Sequence, residues 1–119
     1  MFQVLKKAVE RGQNLGATYV ELRGESGFVE YIQMDDLRVN ALTQRIEQGV
    51  AVRVLADGAW GFVSTGDLYG LNDAVENAFN MAKAAATTRK EPIILSEIKV
   101  HMDKEEIKVD RDPRHVPIE

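Results

Sequence analysis

The strongest constraint on the fold is a run of strand patterns that ends in a two-residue turn signal. "VAVRVLA" (Val50 to Ala56) and "AWGFVST" (Ala59 to Thr65) flank Asp57-Gly58, a pair favoured in type I′ hairpin turns because both central residues need positive φ. Three earlier segments also alternate apolar and polar residues, namely 18–25, 28–34 and 37–46. Alternation predicts strands with one face in water. The sequence therefore predicts an antiparallel meander of about five strands, with a further turn at Asp35-Asp36.

Segments with helical spacing lie on both sides of this meander. The first has apolar residues at three- and four-residue intervals and ends at Gly12 or Gly16; these residues are Val4, Leu5, Ala8 and Val9. The second runs from Leu71 to about Thr87, with Asn72 or Asp73 as its cap. Its apolar stripe is expected to pack against the sheet and consists of Leu71, Ala74, Val75 and Ala78. The predicted fold class is α+β, two-layer, with the mainly antiparallel sheet of about five strands carrying two helices on one face.

The remainder of the chain contains one more strand pattern and a charged tail. "IILSEIKV" (residues 93–100) is a possible sixth strand, and residues 101–119 are charged, contain Pro113 and Pro117, and show little periodicity. We therefore predict one domain over residues 1–100 and a connector over residues 101–119 to a region that this chain lacks.

Composition excludes several classes of protein. The 119 residues include no cysteine, which rules out disulfides and thiolate metal sites and suits a reducing cytoplasm. No segment has the length and apolarity of a signal peptide or a membrane span, so a soluble cytoplasmic protein is expected. Nineteen acidic residues against fifteen basic ones give a net charge of −4. That sign argues against a protein held mainly by nucleic-acid phosphates.

Residues with catalytic or metal-binding potential do not form a recognisable motif. His101 and His115 are fourteen residues apart in the predicted connector, and neither belongs to a helical histidine pair that binds zinc. In "HVPIE" (residues 115–119) Pro117 opposes the helix that would align histidine and glutamate. Ser64 and Thr65 lack a nearby histidine and an elbow motif, so strand-end and capping roles are expected for them. Asp35-Asp36 is interpreted as a turn rather than a cation site.

Other short features also have structural interpretations. "GAWG" (Gly58 to Gly61) resembles the two-glycine loop of KH domains, but that loop joins helices, whereas this one lies between strands. Trp60, beside Phe62, is interpreted as a core residue. Lys6-Lys7 and Arg89-Lys90 are interpreted as solvated charges near helix termini. From these residues we predict no catalytic, cofactor-binding or metal-binding residue in this chain.

Three segments together resemble the N-terminal domain of the TldD/PmbA family, the metallopeptidases once called modulators of DNA gyrase. They are "GATYVELR" (Gly16 to Arg23), "GVAVRVLADGAWGFVSTGDL" (Gly49 to Leu68) and "DAVENAFNMAKAA" (Asp73 to Ala85). The middle segment is the most specific, with a glycine, a V-x-V-R-V strand, a D-G turn and then W-G-F with S-T. The resemblance covers nearly the whole chain, and residues 109–119 look like the family's connector to the next domain.

The resemblance implies a two-layer domain in front of a larger, β-rich C-terminal region. Family members are zinc-dependent peptidases that act on peptides or unfolded segments, or metal-free partners that pair with them. Their zinc motif, H-E-x-x-x-H with a later cysteine, belongs to the region after this domain, and this chain has no H-E pair and no cysteine. The implied partners are the C-terminal catalytic region, a homo- or heterodimer partner of the family, and a peptide or unfolded substrate. On this interpretation the chain is an accessory domain, inactive alone, that shapes substrate access or packs in a dimer.

Two other function classes remain open at this point. A stand-alone, non-catalytic module that binds a protein or peptide would need neither zinc nor a C-terminal region. A role in association with gyrase or nucleic acid is suggested only by the older family name, and the acidic net charge of −4 opposes direct DNA binding.

Overall fold

The computed structural model describes residues 1–117 and combines two helices with one antiparallel sheet. The elements are α1 (Phe2–Asn14), β1 (Tyr19–Asp35), β2 (Arg38–Ala56), β3 (Ala59–Thr65) and α2 (Leu71–Ala86), followed by a 3₁₀ turn at Pro113–His115. The strand order is β1-β2-β3. This arrangement confirms the α+β class. Within residues 1–117, neither helix has the length and apolar character needed to cross a lipid bilayer.

The sheet has three strands, so the prediction of about five was wrong. The segments expected at 18–25 and 28–34 form one strand, β1, and those at 37–46 and 50–56 form one strand, β2. Pairing is unbroken from Tyr19 opposite Leu55 to Gln33 opposite Ala41. The glycines between the predicted strands do not have positive φ, so the backbone stays extended and continues its hydrogen-bonded ladder. A glycine ends a strand only where the backbone turns.

The possible sixth strand at residues 93–100 is also absent from the part of the chain that the structure describes. Its first residue, Ile93, donates its N–H to the carbonyl oxygen of Gly58 at 2.8 Å, but the residues after it pair with no strand. Alternating apolar residues make a strand only where a neighbouring strand satisfies the backbone N–H and C=O groups. Residues 93–100 have the alternating pattern, but no neighbouring strand within residues 1–117 pairs with them.

The two hairpin turns differ in how well the sequence placed them. Asp57-Gly58 joins β2 to β3 with φ values of 50° and 75°, which confirms the predicted turn. The distal turn consists of Asp36 and Leu37, at φ values of 47° and 62°, one residue later than predicted. Positive φ is uncommon for leucine, and this preference explains why the sequence pointed to the aspartate pair instead.

One predicted helix terminus agrees with the structure, and another required a correction. Gly16, with φ of 95°, follows the end of α1, whereas Gly12 lies inside the helix, where a Cβ would come within 2.6 Å of a methyl group of Val20. The N-cap of α2 is Gly70 and makes no side-chain cap. Asn72 and Asp73 therefore lie in the first turn rather than at the cap position. The predicted end of this helix near Thr87 agrees with its last residue, Ala86.

The core lies between α2, α1 and one face of the sheet. The predicted stripe on α2 is buried, as are the valines that face it from β2; the buried core comprises Ala8, Val50, Val52, Val54, Leu71, Ala74, Val75 and Ala78. On β3, Gly61 faces the same helix, and a Cβ on it would lie 1.8 Å from the carbonyl oxygen of Ala78. The small residues thus allow helix and sheet backbones to approach closely. Because each buried side chain of valine or leucine size contributes roughly 1.5–3 kcal/mol, this contact is a main source of stability.

We predict that Gly61→Ala strongly destabilises the fold. The new methyl group would overlap backbone atoms of α2, and overpacking of this kind costs about 1–3 kcal/mol or more. Urea unfolding followed by circular dichroism measures the effect. Gly27→Ala is the matched control, since a Cβ at Gly27 meets no atom within 4 Å; equal stability of the two variants would contradict the proposed packing.

Candidate functional site

The two faces of the sheet differ in what covers them. We call the face that carries Val50, Val52 and Val54 the inner face, because it packs on the helices, and the opposite face the outer face. Cover by α1 reaches Gly24, where an added Cβ would lie 2.9 Å from the sulfur of Met1. Beyond that point β1 and β2 continue as a two-stranded ribbon, residues 25–48, which we call the arm. The molecule measures 61 Å along its longest axis, against 29 and 27 Å along the others.

Apolar side chains line the inner face of the arm without being covered. Phe28 stands opposite Ile46, and Ile32 stands opposite Leu42. These four side chains keep 39–79% of their surface exposed. Met34 and Val39, paired beside the distal turn, are also exposed. An isolated two-stranded hairpin is marginally stable in water, so this surface is a candidate for contact with another polypeptide.

The strands also leave backbone edges without a neighbour. β2 pairs with β3 only over Val50–Ala56, so its second edge carries no strand along residues 38–49 in the described part of the chain. β1 and β3 are the outermost strands of the sheet. Free edges of this kind accept an extended peptide through main-chain hydrogen bonds, whatever its side chains.

An aromatic and ionic cluster occupies the outer face near the Asp57-Gly58 turn. The rings of Tyr19 and Trp60 meet edge to face with centroids 5.9 Å apart, and the guanidinium of Arg53 lies 4.7 Å from the Trp60 ring centroid. Arg53 also donates to Glu21 at 2.5 Å, and the Tyr19 hydroxyl donates to the same carboxylate at 3.1 Å. The expectation that Trp60 is a core residue was wrong. It pairs with Leu55 on the outer face and stays half-buried.

This cluster shifts two acid–base equilibria. The hydrogen bond from Arg53 lowers the pKa of Glu21 below its ordinary value of 4.5. Burial raises the pKa of Tyr19 above 10.0, and the hydrogen bond to Glu21 adds to this increase. Both side chains of the Arg53–Glu21 pair are more than a third exposed, and such exposed ion pairs contribute little to stability. The cluster connects side chains of all three strands on the surface of the sheet.

The residues considered for chemistry are not brought together. Ser64 is exposed on the last strand, and the Thr65 hydroxyl accepts the N–H of Asp67 at 3.0 Å, which confirms its strand-end capping role. His101 and His115 are exposed in the tail. Within residues 1–117, no three histidine, aspartate or glutamate side chains are close enough to hold a metal ion. Of the "HVPIE" stretch, Ile118 and Glu119 lie outside the described residues.

The other short motifs are ordinary parts of the fold. "GAWG" consists of the second turn residue, Gly58, and the first three residues of β3, and it is not a loop between helices. Lys6 and Lys7 are exposed on α1, and Arg89 and Lys90 are exposed after α2. The surface that sequence analysis missed is the arm, because its apolar residues had been assigned to ordinary covered strands. Nothing in the alternation pattern itself distinguishes a covered strand from an uncovered one.

We predict that Glu21→Gln lowers the thermal unfolding midpoint slightly at neutral pH. A carboxylate whose pKa is lower in the folded state stabilises the fold above its unfolded pKa and loses that contribution as pH falls through the folded value. The difference between the variant and the unmodified chain should therefore be present above about pH 4.5 and vanish in more acidic solution. Thermal melts at several pH values test this expectation, and a pH-independent difference would contradict the Arg53 interaction as its cause.

Comparison with known proteins assigns this architecture to a family. The family described as PmbA/TldA metallopeptidase domain 1 matches residues 20–86. "Metalloprotease MJ0996" of Methanocaldococcus jannaschii is 28% identical over 103 residues, which cover 85% of this chain and 23% of that protein. The crystal structure of TldE from Thermococcus kodakarensis shares the fold with a TM-score of 0.64 and 16% identity, over 87% of this chain and 23% of the other.

The chain thus spans about a quarter of the length of the relatives that it matches. The match over residues 20–86 contains the three-stranded sheet except Tyr19, including the complete arm, and all of α2. It covers more than half of the chain. On this evidence, the chain belongs to the PmbA/TldD family, as its first domain.

Proposed function

We propose that this chain is the N-terminal accessory domain of a PmbA/TldD-type zinc metallopeptidase. The observation that carries the proposal is the family match over residues 20–86, supported by a relative named as a metalloprotease. In this proposal the zinc and the catalytic groups belong to a C-terminal region. The donor set of this chain does not fit zinc, because it lacks cysteine and its described residues bring no three metal-binding side chains together.

The proposed role of the domain is to shape access to the catalytic region. Peptidases commonly hold their substrates in extended form, and the free edge of β2 along residues 38–49 offers main-chain groups to such a peptide. The arm is a two-stranded ribbon that continues past the part of the sheet that α1 reaches. In a position beside the active site, the arm would let unfolded chains reach that site and hinder folded ones. Contact with a homo- or heterodimer partner of the same family, in a reducing cytoplasm, completes the proposal.

A purified sample of the 119-residue chain should not hydrolyse peptides. Its described residues hold no metal-binding cluster, and peptide hydrolysis of the metallopeptidase type requires a metal-activated water. A quenched fluorescent peptide library with added zinc measures this, with a known zinc peptidase as the positive control. Chelator-sensitive cleavage that copurifies with the chain would contradict the accessory assignment.

A second prediction concerns substrate choice by the polypeptide encoded by the complete reading frame. Replacement of residues 27–47 by Asn-Gly removes most of the arm and leaves the pairs that surround the core. We expect this variant to lose about tenfold of its preference for an unfolded over a folded form of the same substrate. The ratio of kcat/KM values measures the preference, and Gly27→Ala is the control that should retain it. An unchanged ratio would refute the access role while leaving the family assignment intact.

A further inference from the structure

The apolar inner face of the arm has the character of a contact surface within a larger protein. We infer that Phe28, Ile32, Leu42 and Ile46 are buried against the region that follows this domain in the longer polypeptide. The inference rests on the proposed function, because both require a region that follows this domain. The inference adds which surface of the domain that region contacts. It does not depend on whether the domain selects substrates.

The position of these four residues supports the inference first. They lie on the same face of β1 and β2 as the core valines, because side chains alternate and the pairing is unbroken up to Gln33. Met1 and Leu5, at the start of α1, reach this face at Gly24, and Ser26, the next residue on the same face, is exposed. The apolar surface therefore continues from the core to the arm, while the cover stops at the base of the arm. A second covering layer would extend the same core.

Two polar side chains between the apolar pairs on the inner face of the arm bind each other. Glu30 and Gln44 face each other between the two apolar pairs, and the Gln44 amide donates a hydrogen bond to the Glu30 carboxylate. One amide N–H of Gln44 and one carboxylate oxygen of Glu30 are thus satisfied within the arm, and a covering surface would have to provide hydrogen-bond partners for their remaining polar groups. On the outer face, by contrast, Arg45 and Glu47 form an exposed ion pair at 2.6 Å.

The path of the tail brings the chain back to this surface. Asp112, Pro113 and Arg114 line one hollow together with Phe28 and Glu30 of the arm. The turn there is held locally, since the Asp112 carboxylate accepts the backbone N–H of Arg114 at 2.9 Å. A region that continues beyond Pro117 would begin beside the inner face of the arm. A following region needs little further length to reach Phe28.

Covalent linkage favours this occupant over a second copy of the chain. A stable association of separate proteins buries about 800 Å² of accessible surface on each partner. A second copy would have to bury an area of this order to stay bound. A region linked covalently to the same chain is present at high effective concentration and has no such requirement.

Hydrogen–deuterium exchange tests the inference on the 119-residue chain and on the polypeptide of the complete reading frame. We expect amides of residues 26–48 to exchange at least about tenfold more slowly in the longer polypeptide. Ile46→Asp should abolish that difference, because it places a charge in the buried contact. Thr43→Asp is the matched control, since Thr43 lies on the outer face of the same strand, and it should retain the protection.

Several results would overturn the inference. Equal exchange of the arm in both polypeptides would do so, as would equal effects of Ile46→Asp and Thr43→Asp. A reading frame that ends at Glu119 would also do so, and sedimentation would then show whether a second copy covers the arm. Peptidase assays on the same longer polypeptide separate this inference from the proposed function. A protected arm without zinc-dependent cleavage would refute the function alone, whereas cleavage with an unprotected arm would refute the inference alone.

Discussion

The close contact between α2 and the short strand β3 holds the rest of this domain together. Gly61 has no room for a side chain beneath the carbonyl oxygen of Ala78, and the small residues of α2 let the helix backbone lie directly on the sheet. This contact fixes the inner face of β2, whose three core valines pack beneath the helices. Since β2 also forms one strand of the arm, the orientation of the arm follows from the same contact.

Continuity of β1 and β2 gives the domain a covered part and an uncovered part. The same two strands form the core sheet and then extend past the end of both helices. Apolar residues continue along the inner face without a break, although the helices that bury them do not. A long hairpin with an apolar face is therefore built into the domain at a cost in solvation, and this cost is the physical reason to expect another layer of protein there.

The chain corresponds to only one part of the relatives that it matches. Its relatives are about four times longer than the part that this chain matches, so most of their residues lie outside the shared domain. The acid–base shifts in residues 1–117 have structural causes. The lowered pKa of Glu21 follows from its bond to Arg53, and the Arg114 guanidinium lowers the pKa of Asp112 within one local turn.

The sequence alone determined the secondary structure class, the Asp57-Gly58 turn, the buried stripe of α2 and the family, because each depends on local spacing or on a contiguous motif. Only the tertiary structure decided that five predicted strands are three, since a glycine interrupts a strand only if its backbone turns. It also decided that Trp60 lies on the outer face and that the arm is uncovered. Alternation along a strand specifies two faces, but only packing against other elements determines which face is buried and how far the cover extends.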